Sequence, residues 1–342
     1  MDKLNVETMM EYLYNLPGQF EECLKFDYSG LKRYRMPGNI IITGLGGSAI
    51  GGDIVRTLAW SQAKVPIVVN RDYNMPAFTG GDTLVMVVSY SGNTEETLSA
   101  YQQARKAGAQ IVCVASGGKL ADLAAADGYE VIKVPEGLVP RAATGYLFAP
   151  VALALESMGV LQGISAQIEE TIAVLKTMRE ELQPGVGLPQ NQARAIARDL
   201  KDALPVIWGT AVISEAAALR WKAQINENAK APAYYNVFPE LNHNEIVGFE
   251  VPAQLLKQIA VIVLRSPSDS ERINKRIAIT TNIIQAGVKN IIEVTARGQS
   301  FLAQFYSLVY IGDYTSVYLA LEYGINPAPV KIIDYLKAEL AK

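Results

Sequence analysis

Histidine is nearly absent: His243 is the only one in 342 residues. A zinc site built from several imidazoles is thereby excluded, and a mixed Cys/His site has little to draw on beyond Cys23 and Cys113. These two cysteines are too few and too far apart in sequence for a disulfide scaffold. Cys113 lies in the apolar run IVCVA, where a buried free thiol is the expected form. No paired-carboxylate motif at a strand end suggests Mg2+, so no metal is expected. Charge of one sign is also lacking, since 31 Lys plus Arg against 34 Asp plus Glu leave a net charge of -3. That balance points to neither nucleic acid nor an anionic membrane surface, so positive charge at a site must be local. No apolar run approaches the roughly 18 residues of a membrane span. The opening MDKLNVETMMEYLYNL lacks the basic and apolar regions of a signal peptide, and a cytoplasmic protein is expected.

What is present is a large apolar fraction, 50% of the chain, enough for a sizeable core and two domains. Short β-branched runs, NIIITG at 39–44, VPIVV at 65–69, TLVMVVS at 83–89, AQIVCVA at 109–115 and YEVIKV at 129–134, alternate with helix-period segments. This predicts an α/β fold, a doubly wound parallel sheet with helices on both faces. Residues 143–183 read as helical, and PGVGLPQNQ at 184–192 has the Gly/Pro density of a linker. A second alternating set follows, with strands at LPVIWG, AYYNVF, LKQIAVIVLR and VKNIIEV, a helix AAALRWKAQINENAK between the first two, and long closing helices. The expected division is 1–160 with leading helices, a helical segment and linker over 161–195, and a second α/β domain over 196–342.

Two turns carry chemistry. SYSGNTEET at 89–97 follows an apolar strand; Asn93 with Glu96 three residues on fits a helix N-cap, and capping alone is one reading. The surplus hydroxyls of Ser89, Ser91 and Thr94, beside outward-pointing N–H groups and a helix dipole, fit an anion such as phosphate. GLGGSAIGGD at 44–53 satisfies G-x-G-x-x-A through Gly44, Gly46 and Ala49, which admits a dinucleotide site, although Asp72 falls late for the ribose-binding acid. Dinucleotide binding gives no reason for the hydroxyl turn after the next strand. A phosphomonoester held by two adjacent turns does, with Gly46, Gly47 and Ser48 giving close backbone approach and one more hydroxyl. Glycines that merely permit tight helix packing are the plain alternative.

GLGGSAIGGD, SYSGNTEET, VPRAATGY, NENAKAPAYYNVFPELNHNE and PAPVKIIDYLK together resemble the bifunctional phosphoglucose/phosphomannose isomerase family, built from two sugar-isomerase (SIS) domains. The resemblance covers nearly the whole chain and is most specific from Asn226 to Glu245. It implies two flavodoxin-like SIS domains, a sugar phosphate substrate, no cofactor, and a homodimer that interconverts glucose 6-phosphate or mannose 6-phosphate with fructose 6-phosphate through a cis-enediol.

The resemblance also assigns roles. Glu227 becomes the base that moves a proton between C2 and C1, although a glutamate among Asn and Lys at a helix end is ordinarily a solvated residue. Partial burial would lift its pKa toward the working pH. His243, otherwise an ordinary loop residue, opens the sugar ring and reaches the site from the other subunit. Arg141 in VPRAATGY becomes the cation beside the enediolate, against a plain capping or ion-pairing role. Lys337 in DYLK is expected to contact the sugar, with Lys331 close by as an open alternative. Two other classes stand beside this one. A phosphosugar sensor would keep SYSGNTEET without needing Glu227 and His243, and a nicotinamide-dependent oxidoreductase would keep only the glycines.

Overall fold

A computed structural model describes residues 3–340 and 342. The β-branched runs form two parallel sheets, each inside its own compact unit. Asn15–Val174 with Gly298–Ala303 make up the first unit; residues up to Tyr14, Leu175–Arg297 and Gln304–Lys342 make up the second. Among the described residues no helix is long and apolar enough to cross a membrane.

The first sheet contains β1 (Asn39–Thr43), β2 (Ile67–Asn70), β3 (Thr83–Val88), β4 (Gln110–Ala115) and β5 (Glu130–Lys133), in the order β2-β1-β3-β4-β5. Ile41 lies opposite Val68 on one side and Val85 on the other. All six residues of β3 are buried, as a strand covered by helices on both faces requires. Val85, Val87, Ile111, Cys113 and Tyr101 form the core of one face. Each fully buried aliphatic side chain there contributes about 1.5–3 kcal/mol. Both cysteines are buried and free. Burial pushes the Cys113 thiol up to about 12 and raises that of Cys23 as well.

The second sheet contains β6 (Leu204–Thr210), β7 (Tyr234–Phe238), β8 (Ile259–Arg265) and β9 (Asn290–Thr295), in the order β7-β6-β8-β9. That order repeats the first sheet's without its last strand, so the halves share a topology that their residues barely reveal. Trp208 on β6 is fully buried and meets Phe238 edge-on at 5.7 Å. The stretch read as a linker is the turn before the helix Gln192–Leu200, and Asn191 caps that helix by accepting from Arg194 N at 3.1 Å.

Candidate functional site

In the first unit the strand order reverses between β1 and β3, because the chain places β2 on one side of β1 and β3 on the other. Ligands of open parallel sheets bind beyond the carboxyl ends of the strands at such a point. The two turns singled out in the sequence both lie there. After β1, Gly44 lets the strand ends approach: a β-carbon at this position would stand 2.7 Å from the Val88 carbonyl oxygen. Gly46, at φ 54°, then opens the helix Gly47–Ala59, and Ser48 is buried in its first turn. After β3, Ser89 is buried and donates its hydroxyl to Thr94 Oγ1 at 3.1 Å, while Ser91 is exposed. That bond leaves the Thr94 proton free to point outward, toward a site faced by two helix N-termini.

The cap differs from the expected one. Thr94, not Asn93, is the N-cap of the helix Glu95–Lys106, and no side chain closes that cap. Asn93 is engaged elsewhere: Nδ2 donates to Ser91 O at 3.0 Å and Oδ1 accepts from Lys119 N at 3.1 Å, which pins the turn to the next helix. Tyr90 ties it to the following loop, donating to Pro135 O at 2.9 Å and accepting from Leu138 N at 3.0 Å. That loop leads to the 3-10 turn Pro140–Ala142, which carries Arg141, 6% exposed. A β-carbon at Gly47 would lie 3.3 Å from the Pro140 carbonyl oxygen, so the Arg141 turn runs alongside the glycine turn. Buried Gln19 holds it there, donating to Ala142 O at 2.8 Å and accepting from Gly145 N at 3.0 Å. Gly46, Gly47, Ser48, Ser89, Ser91, Thr94 and Arg141 thus come from three neighbouring turns.

In the second unit the helix Glu215–Gln224 does not run on to Lys230, as its sequence period suggests. It gives way to a π-helical turn, Ile225–Ala229, closed by Lys230 in the left-handed region at φ 55°. Such single π-turns are frequent at functional sites, and this one carries the partly buried Glu227. Its neighbours anchor it. Lys230 Nζ donates to Glu227 O at 2.7 Å and Pro327 O at 2.9 Å, and Asn226 Nδ2 donates to Ala231 O at 2.8 Å. Asn228 Nδ2 reaches Ser316 Oγ at 2.9 Å, and that hydroxyl donates to Asp313 O at 2.6 Å. Asp313 in turn accepts from Arg220 at 3.0 and 2.7 Å and from Gln224 at 3.0 Å in the fully buried interior. Burial raises the Asp313 carboxyl against the pull of this guanidinium.

His243 ends the 3-10 turn Glu240–His243 and is exposed. Glu227 precedes the amino end of β7 and His243 follows its carboxyl end, and a five-residue strand alone spans roughly 17 Å. Lys331 and Lys337 both lie on the helix Lys331–Leu340, exposed along its described length. Among the described residues, no three His, Cys, Asp or Glu side chains gather into a metal-binding group. The supporting side chains Gln19 and Tyr90 carry no sequence signal of their role, and for Asn228 and Glu245 the one signal is the density of Asn and Glu between Asn226 and Glu245.

A family model described as the bacterial phospho-glucose isomerase C-terminal SIS domain matches residues 189–340. The chain is 45% identical over 336 residues to the bifunctional phosphoglucose/phosphomannose isomerase of Caldicellulosiruptor bescii, covering 98% of this chain and 99% of that one. It is 35% identical over 339 residues to the protein of the same name from Aquifex aeolicus, covering 98% of each. Among solved structures, the C-terminal domain of glucosamine-fructose-6-phosphate aminotransferase from Francisella tularensis superposes with a TM-score of 0.70 at 17% identity. The match covers 92% of this chain and 96% of that one, a likeness of fold.

Proposed function

The chain belongs to the bifunctional phosphoglucose/phosphomannose isomerase family, and from that premise we propose that it interconverts glucose 6-phosphate and mannose 6-phosphate with fructose 6-phosphate, without a metal. The observation that carries this reading is the 45% identity along 98% of the chain. The geometry supports it with a phosphate anchor. Ser91 and Thr94 donate to the phosphate, Ser89 aligns Thr94 from behind, and Gly46, Gly47 and Ser48 offer the first turn of a second helix. His243 protonates the ring oxygen as the C1–O5 bond breaks, and the C1 hydroxyl gives its proton to solvent as the open-chain aldehyde forms. Glu227 then takes the C2 proton, the cis-enediolate charge on O1 develops beside the Arg141 cation, the O2 proton passes to O1, and Glu227 returns its proton to C1, leaving the C2 ketone. Lys337, or Lys331 near it, contacts the sugar.

Because β7 lies between Glu227 and His243 in the chain, a homodimer in which each site takes His243 from the other subunit fits the topology. The test is a coupled assay of fructose 6-phosphate formation from each aldose phosphate, with and without chelator. Wild-type protein should convert both and keep its activity in chelator; loss restored by a divalent metal would sink the metal-free mechanism. Glu227→Gln should lose about 10²–10⁴-fold on any substrate form. His243→Ala should be severe on cyclic substrate and far milder on a sugar phosphate that cannot cyclise. Mixed under subunit exchange, the two inactive variants should regain activity; heterodimers seen by mass spectrometry without activity would place His243 in its own chain's site.

A further inference from the structure

His243 is held from both sides. Before it, Asn242 Nδ2 donates to Thr280 Oγ1 at 2.8 Å and its Oδ1 accepts from Arg276 Nη1 at 3.3 Å. After it, the Glu245 carboxylate takes two donors at once: Trp208 Nε1 donates to Oε1 at 2.7 Å and Asn236 Nδ2 to Oε2 at 2.5 Å. Trp208 and Asn236 are register partners on β6 and β7, so the carboxylate bridges two strands of the sheet. Neither donor is adaptable. The indole is locked between Phe238 and Phe249, edge-on to both at 5.7 and 5.5 Å. The Asn236 amide is fixed because its Oδ1 already accepts from Val237 N at 2.8 Å. Two fixed N–H donors require two acceptor oxygens, which a carboxylate has and an amide lacks. The demand is for Glu at this position, where simple filling of space would tolerate Gln.

We propose that Glu245 is the positioning residue of His243, setting from two residues away where the imidazole is carried relative to the sheet. The inference rests on His243 acting in ring opening. It predicts an effect on that half-reaction beyond any effect on folding, since misplacement by about 1 Å can cost about 10²-fold. Ring opening can be read alone. Interconversion of the α and β anomers of a hexose 6-phosphate breaks and remakes C1–O5, the ring oxygen gaining a proton as the C1 hydroxyl loses one and the reverse on closure, and no C–H bond is touched.

The experiment measures anomerisation by exchange NMR, isomerisation by coupled assay, and stability by thermal melting. Glu245→Gln should slow anomerisation by about 10–100-fold with KM little changed. Asn236→Asp sets two carboxylates against each other and should be at least as slow. The double variant restores complementarity, because the new amide donates to the new carboxylate and still accepts from Trp208; it should return to within about threefold of wild type, a coupling no pair of independent defects would show. Glu227→Gln, by contrast, should stop isomerisation and keep anomerisation. Wild-type anomerisation in Glu245→Gln, or a double variant no better than the worse single one, overturns the proposal. If Glu245→Gln does not fold, the double variant decides. If His243→Ala itself anomerises normally, the ring-opening reading fails and the inference falls with it; if His243→Ala is slow while Glu245→Gln is not, only the positioning role fails.

Discussion

The two sheets share a strand order, and each has turns at its own reversal point, after β1 and β3 in the first unit and after β6 and β8 in the second. The first pair of turns offers Ser91 and Thr94 beside an uncapped helix. In the second pair the corresponding donors already have an anion. Asp269, 6% exposed, accepts from Thr210 Oγ1 at the end of β6 and from Ser266 N at the end of β8, both at 2.8 Å. Ser270 caps the next helix by accepting from Ile273 N at 3.3 Å, the duty Thr94 does not perform. Convergent donors are thus a product of the topology, and in the second unit a single carboxylate closes them upon the protein itself.

The largest effect should come from opening the closed site. Asp269→Ala leaves the Ser266 amide without its acceptor, at about 1–3 kcal/mol for a buried donor, and leaves Thr210 Oγ1 only the Ser214 hydroxyl at 3.2 Å. Denaturant unfolding should register the loss, and inorganic phosphate should restore part of it in the variant while doing nothing comparable at this point in wild type. A fully stable variant would break the comparison. The open site should behave in the opposite way. Ser91→Ala with Thr94→Ala should cost less stability, about 1 kcal/mol for the Ser89 hydroxyl that loses its acceptor, and raise KM by roughly 10–100-fold or more, the value of one or two hydrogen bonds to a charged group, with kcat much less affected. An unchanged KM would count against the phosphate anchor.

The smallest effect concerns a second built-in carboxylate. Glu170 accepts from the amides of Gln299 at 2.6 Å and Ser300 at 2.9 Å, just ahead of the helix Phe301–Glu322. The Ser300 side chain, then these amides, hold its carboxyl below the usual range. A depressed folded-state pKa gives stability that is present above the unfolded value of about 4.3 and is lost as pH falls through the folded value. Glu170→Gln should therefore flatten the acid limb of stability against pH and leave neutral activity intact. An acid limb identical to wild type would remove Glu170 from this group.

The first unit's turns were legible in the sequence because they are local. Gly46, Gly47, Ser48, Ser89, Ser91 and Thr94 occupy two short turns, each following an apolar β-branched run that announces a strand end. Even so, the cap was misplaced by one residue, since Asn93 answers to Lys119, 26 positions away. In the second unit Glu227 and His243 stand out only through resemblance to a family. What fixes the Glu227 turn is the pairing of Arg220 with Asp313 across 93 positions, and what fixes the His243 turn is Trp208 meeting Glu245 across 37. Neither pairing leaves a periodicity, and nothing in INENA marks where the helix Glu215–Gln224 gives way to the π-turn that carries Glu227. Asp269 escaped notice for the same reason: in SPSDSER it is indistinguishable from a solvated turn residue until β6 brings Thr210 to it.

The two buried thiols have a practical consequence. With Cys113 pushed up to about 12 and Cys23 raised as well, the folded chain presents almost no thiolate to alkylating reagents at neutral pH. To such reagents the native protein is nearly a cysteine-free background. A single cysteine introduced on an exposed loop could carry a fluorophore at one known place, with the native pair left in position. Slow modification of Cys23 and Cys113 would then serve as an internal clock for opening events. Both residues lie in the first unit, so the clock would time the unit that holds the glycine and hydroxyl turns and stay silent about the other.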